Sequence, residues 1–411
     1  MRRRTRCTTL VAGALILAGA GAALAQDWPQ WRGADRDGKA TGFAAPDQWP
    51  AALTQVWKVT VGAGDATPAL VGDRLYIFAR QGDEEVTLCL NAGDGKEVWR
   101  NAYAAQPVTG AANRHPGPRG TPAVAQGRVV TLGACGVLSC LDAATGNVVW
   151  RKDPFPGVVP KFFTGMSPMI LEGMVIAHLG GPGNGALLAL DLATGETRWR
   201  WAAEGPDYGS PVVMTVDGTR QIVTLTEKSL VGIRLADGKL LWQLPCVPQG
   251  RAYNASTPVV DGKTLYFSAG DQGLKAVAVE KQGEGFAARE AWSNPDGIVQ
   301  YNTPILKAGL LYGISARSSL FCINAQTGQT AWVDATARFG RGGFGSIVDA
   351  GSVLMVLPNG PDLCIIKPGD KGCEELARIP VSGPETYTYP IASGRRIFVK
   401  DRESVTLWAI P

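Results

Sequence analysis

Few residues in this chain are placed to do chemistry. Two histidines, His115 and His178, occur in the whole sequence, and neither stands in a Cys/His spacing that would hold zinc. The G-x-S-x-G turn that exposes a nucleophilic serine is absent, and neither histidine lies in a motif pointing to a triad. "GGPGNG" (180–185) has the glycine content of a phosphate loop but sits between two strand-like runs. With no helix behind it, no helix N-terminus would face an anion, and it reads as a β-turn. "DRDG" (35–38) has two carboxylates and a glycine but lacks the third ligand and distal Glu of a calcium loop, so it too reads as a turn. His115, in "NRHPGPRG", reads as a loop residue rather than a ligand or base. No catalytic residue and no metal site is therefore assigned.

The elements that would position any site begin after a leader. Residues 1–25 carry the basic "MRRRTR", an apolar stretch and the small-residue site Ala23-Leu24-Ala25. That pattern is a secretory signal peptide, with cleavage expected before Gln26. No cysteine follows the apolar stretch, which argues against a lipid anchor, and the expected product is periplasmic or secreted. The leader holds Arg2, Arg3, Arg4 and Arg6, so the formal +4 of the whole chain belongs to it and the remainder balances at 36 basic against 36 acidic residues. A balanced chain has no electrostatic reason to bind nucleic acid. Beyond the leader no apolar run approaches the roughly 20 residues that span a bilayer.

Residues 26–411 read as one domain built from a repeat. "LDAATGNVVWRKD" at 141–153 returns as "LDLATGETRWRWA" at 190–202. Each copy opens on Ser/Thr-Pro and a short apolar run: "TPALVGDRLYIF" at Thr67, "TPAVAQGRVVTL" at Thr121 and "SPMILEGMVIAH" at Ser167. Further copies start at Ser210, Thr257 and Thr303, and two weaker ones follow at Gly345 and Tyr389. Within each, four apolar runs are separated by Gly or Asp-Gly turns, which are strand and hairpin signals. Four strands every 40–50 residues, eight times over, predict an all-β, eight-bladed β-propeller of four-stranded antiparallel blades. The eighth copy is one strand short. "LTQVWKVTVG" (53–62) carries the fourth-strand pattern, so this N-terminal strand is expected to complete the last blade and remove its open edge.

Trp57, Trp99, Trp150 and Trp199 occupy one equivalent place on the fourth strand, as do Trp242, Trp292 and Trp332. Large flat rings at that place are expected to fill the seams between blades. The seventh repeat has Ala377 there, so its seam should pack differently. Cys89, Cys140, Cys322 and Cys364 also fall at one repeat position inside an apolar strand and read as small buried hydrophobes. Cys364 and Cys373 flank an expected hairpin and are the pair nominated for a disulfide among the seven cysteines beyond the leader.

One face of the ring collects the loops that enter each blade's first strand. "NRHPGPRGTP", "GPDYGSP", "AYNASTP", "VQYNTP", "RFGRGGFGS" and "ETYTYP" place Arg119, Tyr208, Tyr253, Asn254 and Tyr301 there. Asn302, Arg341, Phe344, Tyr387 and Tyr389 complete the candidate partner-binding face. Aromatic and Arg side chains around a concave mouth suit an interface or a small-ligand pocket. The competing reading has the Tyr and Asn side chains capping strands and bonding loops within the blades.

The "LDAATGNVVWRKD" repeat resembles the pyrroloquinoline-quinone (PQQ) type of propeller repeat. "DWPQWRGADRDGKATG", "GPRGTP" and "FGRGGFGS" are also similar to segments of secreted bacterial proteins of that group. The resemblance covers residues 27–411 and implies the fold, while function is carried by sites rather than folds. It has two branches. Quinoprotein alcohol dehydrogenases hold PQQ and Ca²⁺ with an Asp base, but they are longer chains with a vicinal Cys-Cys over the quinone. This chain has no adjacent cysteines, so none of their catalytic positions is carried across. BamB-type outer-membrane assembly factors use such a ring as a cofactor-free protein-binding scaffold, though they are usually lipidated. The expectation is an exported, non-catalytic scaffold for a protein or peptide partner, with no cofactor. A PQQ- and calcium-dependent quinoprotein and a small-molecule or carbohydrate-binding propeller are the alternatives.

Overall fold

The computed structural model describes residues 27–250 and 252–411, and the expected signal peptide lies outside them. Among the described residues the chain forms eight four-stranded antiparallel sheets and no α-helix. They follow one another as blades 1 to 8, whose first strands begin at Ala69, Ala123, Met169, Val212, Val259, Ile305, Gly345 and Ile391. No helix of the described residues is long and apolar enough to cross a membrane.

The repeat motif explains the blade turn by turn. In blade 2 the Asp142 carboxylate accepts from the Ala144 and Thr145 amides, both at 3.1 Å, and from the Thr145 hydroxyl at 2.9 Å. This is the side-chain-stabilised turn that Asp favours. Gly146 then takes φ +74° and donates its amide to the Asp142 carbonyl at 2.8 Å. A register shift follows between Cys140 and Leu141, and Trp150 stands opposite Cys140. The same arrangement recurs around Asp191, Gly195 and Trp199.

The turn glycine has a second role. A Cβ at Gly146 would lie 2.5 Å from the Trp99 ring of the preceding blade, and one at Gly195 would lie 2.7 Å from Trp150. Gly95, Gly238 and Gly328 lie in the same way on Trp57, Trp199 and Trp292. Each of these indoles also donates its Nε1–H across the seam to a carbonyl at the end of the neighbour's third strand. Trp57 reaches Ala92 at 3.2 Å, Trp99 reaches Ala143 at 3.1 Å, Trp150 reaches Leu192 at 3.0 Å and Trp199 reaches Leu235 at 2.8 Å. Trp292 and Trp332 reach Ala325 and Gly369, both at 3.0 Å.

Two seams differ. Trp242 turns back over Gly232 of its own blade and donates to Gln221 Oε1 at 2.6 Å. Blade 5 has no short Asp-Gly turn to receive it, because its third and fourth strands extend into the long hairpin Leu274–Gln282 and Gly285–Asn294. Phe286 and Ala288 of that hairpin pack on the blade 4–5 cluster instead. At Ala377 the direction reverses, and Trp408 of blade 8 donates to the Val381 carbonyl of blade 7 at 3.2 Å.

Thr54–Thr60 pairs antiparallel with Ser404–Ala409 and completes blade 8 as its fourth strand, with Lys58 opposite Thr406 and Thr60 opposite Ser404. The Ser/Thr-Pro openings form a second, inner ring of bonds. Thr121 N–H donates to Ser167 Oγ at 2.9 Å, Ser167 N–H to Ser210 Oγ at 2.9 Å and Ser210 N–H to Thr257 Oγ1 at 3.2 Å. Thr257 N–H donates to Thr303 Oγ1 at 3.0 Å, and Tyr389 N–H joins blade 8 to Thr67 at 3.0 Å.

Residues 28–44 plug the axis. Trp28 exchanges backbone bonds with Leu70 of blade 1, and the Val124 amide of blade 2 donates to the Pro29 carbonyl. Arg36 donates to the Ser167 and Pro168 carbonyls at the entry to blade 3, both at 3.1 Å. Trp31 bonds Thr257 at 3.2 Å and Arg32 bonds the Pro304 carbonyl at 3.0 Å. Ala40 and Ala44 then bond Asp349 and Gly394. "DRDG" is indeed a bent stretch without regular structure, but its Arg36 is a buried tie rather than a surface residue.

The nominated Cys364–Cys373 disulfide does not form, and both thiols are free. Strand register puts Cys364 opposite Arg378, five residues from Cys373. At about 3.3 Å per residue that offset exceeds the reach of a disulfide, whose Cα atoms lie within roughly 7 Å.

Gly72→Ala tests the cost of a positive φ alone, since a Cβ there meets nothing within 4 Å, and it should lower stability by about 1 kcal/mol. Gly146→Ala adds the indole clash and should cost roughly 2 kcal/mol more by urea unfolding. His178, buried in blade 3 with its Nε2 at 3.1 Å from the Glu204 carbonyl, is pushed down to about 4 by burial. Its unfolded value is near 6.5, so the unfolded chain binds the proton first and stability falls as pH drops from 6.5 toward 4. The loss should reach roughly 3 kcal/mol. His178→Asn should remove that slope, and the difference between the two pH profiles cancels the opposite trend from Asp207, which burial raises to about 6.

Candidate functional site

The loops entering the first strands converge on a cavity of about 360 Å³ at one end of the axis. Of the residues expected on this face, Arg119, Tyr208, Tyr253, Tyr301 and Asn302 line it, as do Phe344, Tyr387 and Tyr389. Trp31, from the plug, forms its floor, so the space is a cup rather than a channel. Trp31 meets Tyr389 edge-on at 4.9 Å between ring centroids.

The walls are rings in contact. Tyr301 and Phe344 stack at 4.3 Å with planes 6° apart, and Phe344 meets Tyr387 edge-on at 5.4 Å. Across the cup Tyr253 meets Phe162 at 5.3 Å and Tyr208 at 5.6 Å, both edge-on. Such geometries suit the ring quadrupole and stiffen the wall. Tyr301 is the most open of them, at 36% exposure.

Most polar groups of the cup are already engaged. Arg119 donates to the Phe162 carbonyl at 2.6 Å and to the His115 carbonyl at 3.0 Å, and burial lowers its pKa. It ties the entry loops of blades 2 and 3 together. Tyr208 Oη accepts from the Phe162 amide at 3.0 Å, and burial raises its phenol. Asn302 donates to the Ile314 and Gly343 carbonyls at 2.6 and 2.8 Å.

Two expected face residues lie elsewhere. Asn254 is fully buried, its side-chain amide donating to the Thr226 and Cys246 carbonyls and its backbone N–H donating to Asp207 Oδ2, so it fastens the blade 4–5 loops. Arg341 stands outside the cup, in a second hollow with Arg338, Asn359, Arg378 and Glu385. For the two Asn residues, loop bonding within the ring describes the side chain; for the aromatic residues, the cup does.

The cup also contains a pair that sequence reasoning passed over. His115 Nδ1 lies 2.8 Å from Asp65 Oδ2, both line the cavity, and the imidazole meets Tyr387 edge-on at 4.8 Å. Behind Asp65 the fully buried Lys400 donates to the Gly64 and Asp401 carbonyls. Burial lowers its ammonium to about 8 against the pull of Asp65 and Asp401. Asp65 and Phe162 sit in the entry segments "GDATP" and "FFTGMSP" of blades 1 and 3. Reading all eight entry segments alike would have found both.

A family model described as "Outer membrane protein assembly factor BamB" matches residues 83–334. Among curated relatives, BamB of Moranella endobia is 21% identical over 296 residues, covering 68% of this chain and 71% of that one. A tetrathionate hydrolase of Acidithiobacillus ferrooxidans is 29% identical over 231 residues, or 52% of this chain, and the match spans only 43% of the hydrolase. The crystal structure of quinohemoprotein alcohol dehydrogenase from Comamonas testosteroni superposes with a TM-score of 0.70 over 95% of this chain and 81% of that one, at 16% identity. That likeness concerns the fold.

The cup's donor set does not fit a calcium-bound quinone. Calcium takes six to eight oxygen ligands, whereas the cup presents one carboxylate, Asp65, already engaged by His115. Among the described residues no group of three or more His, Cys, Asp or Glu side chains is arranged to hold a metal ion.

Proposed function

The chain belongs to the outer membrane protein assembly factor BamB family, and from that premise we propose that it is an exported propeller scaffold. On this reading residues 1–25 are its leader, and the face bearing the aromatic cup binds a protein or peptide partner during assembly of the bacterial envelope. The observation that carries the reading is the cup itself: stacked rings open to solvent at Tyr301, on a rigid ring, with most polar groups committed to holding the loops. Rigid aromatic anchors of this kind dominate binding energy at protein interfaces.

A second reading is favoured by one specific observation, the His115–Asp65 pair. An imidazole held by a carboxylate has the geometry of a general base, and a tetrathionate hydrolase is among the relatives. On this reading the cup admits a small molecule and His115 deprotonates water.

The two readings separate cleanly. Tyr301→Ala combined with Phe344→Ala should cut partner recovery in an in-cell crosslinking pull-down by at least about tenfold. The thermal midpoint should move by no more than about 2 °C, because both rings are only part-buried. Undiminished recovery would remove this face from the interface. Purified protein should show no tetrathionate hydrolysis, and no dye reduction with alcohols after incubation with PQQ and Ca²⁺. Turnover abolished by His115→Phe would establish the second reading instead.

A further inference from the structure

The two longest entry segments, 105–122 before blade 2 and 153–168 before blade 3, both reach the cup. They meet around a small apolar cluster of Val108, Ala112 and Ala134, on which Phe162 and Phe163 pack. Phe163 has φ +65°. In this left-handed region the Cβ of an L-residue crowds the following carbonyl oxygen, and a bulky side chain is seldom found there. Gln126, Glu172, Asp217 and Ala308 also have positive φ, but each directly precedes the glycine of a two-residue hairpin turn that demands it. Phe163 is followed by Thr164 and lies in no hairpin.

The strained step is held from both sides. The Phe162 amide donates to Tyr208 Oη at 3.0 Å, and its carbonyl accepts from Arg119 at 2.6 Å. The Phe163 amide donates to the Pro160 carbonyl at 2.8 Å, and the Thr164 amide to the Ala134 carbonyl at 2.9 Å. Turning Phe163 to an ordinary negative φ would swing one flank against the other, so these bonds could not all survive. Such residues persist where their surroundings over-determine them, and they gather at binding sites. Here the residue placed by the strain is Phe162, which lines the cup and meets Tyr253 edge-on at 5.3 Å.

We propose that Phe163 is a positioning residue for the cup: its left-handed backbone stands Phe162 in the wall against Tyr253, and Phe162 sets the width of the cup on the blade 3 side. The role of Phe163 is carried by its backbone conformation more than by its ring. This inference rests on the reading that the cup is where the partner binds, and it names a residue that limits what enters.

The test uses the purified full chain and two variants that both delete the ring, Phe163→Gly and Phe163→Ala. Glycine accepts a left-handed backbone and alanine resists it, so hydrogen exchange in 161–165 should be about fivefold slower in the glycine variant. At a negative φ the order would reverse, because glycine there is less stable than alanine. The Tyr253 ring resonance, assigned through Tyr253→Phe among the nine tyrosines, should keep its wild-type position in Phe163→Gly. In Phe163→Ala it should move toward its position in Phe162→Ala, where the neighbouring ring is gone. Partner recovery in the crosslinking pull-down should fall at least about threefold in Phe163→Ala and stay near wild type in Phe163→Gly. Equal exchange in the two variants, slower exchange with alanine, or a Tyr253 signal that moves alike in both would overturn the inference. Failure of both variants to fold would overturn it too, since the ring would then be what holds the segment; failure of the alanine variant alone gives the expected order. The expected exchange order, with recovery unchanged in Phe163→Ala and in the Tyr301/Phe344 variant, would refute the scaffold reading and leave the role of Phe163 standing. Recovery lost in the Tyr301/Phe344 variant without that exchange order would do the reverse.

Discussion

The contact on which the structure depends is small: a fourth-strand indole lying on the turn glycine of the next blade, with its N–H on a carbonyl beside that turn. It repeats at five seams, from Trp57 on Gly95 to Trp292 on Gly328. It makes two local demands on each copy of the repeat. The turn must accept a positive φ, and its face must be bare enough for an aromatic ring to approach. Glycine alone meets both. The polar N–H of a largely buried indole must also find an acceptor, and the carbonyl that ends the third strand provides it. Each of these seams thereby fixes the angle between neighbouring blades, and three variant seams, at Trp332, Trp242 and Trp408, complete the ring.

Closure then gives the cup its shape. The blades' first strands surround the axis, and the Ser/Thr-Pro openings bond to one another from blade to blade. Residues 28–44 fill the middle and put Trp31 beneath the converging entry loops. The aromatic wall is therefore assembled from six different blades, with no single loop contributing more than a few side chains. Because the loops stand on a rigid ring, the His115–Asp65 contact joins blades that are adjacent in space although the two residues lie fifty apart in sequence.

What could be read from the sequence was what repeats. The short glycine turn recurs in five blades and the fourth-strand Trp at seven positions, so blade number, strand count and the role of 53–62 in blade 8 followed from spacing. What could not be read was anything used once. Trp242 looks like its siblings, and only the absence of a short turn in blade 5 reveals that its indole has nowhere to go. Cys364 and Cys373 flank a hairpin as expected, but their register is set by a bulge between Ile365 and Ile366. His115 gives no motif of its own, because its partner Asp65 belongs to the entry loop of another blade. The plug has no apolar period at all; its residues are held by hydrogen bonds to seven blades, in five of them through blade carbonyls.

The seam between blades 8 and 1 is the most direct place to test the central claim, because there the ring is joined by a strand from the far end of the chain. Native-state hydrogen exchange on Trp57→Phe removes the indole N–H while keeping an aromatic ring. If the seams hold the ring together, protection should fall on both sides at once, in 54–60 with 404–409 and in 84–104. Protection lost only beside residue 57, with blade 1 unchanged, would contradict the account.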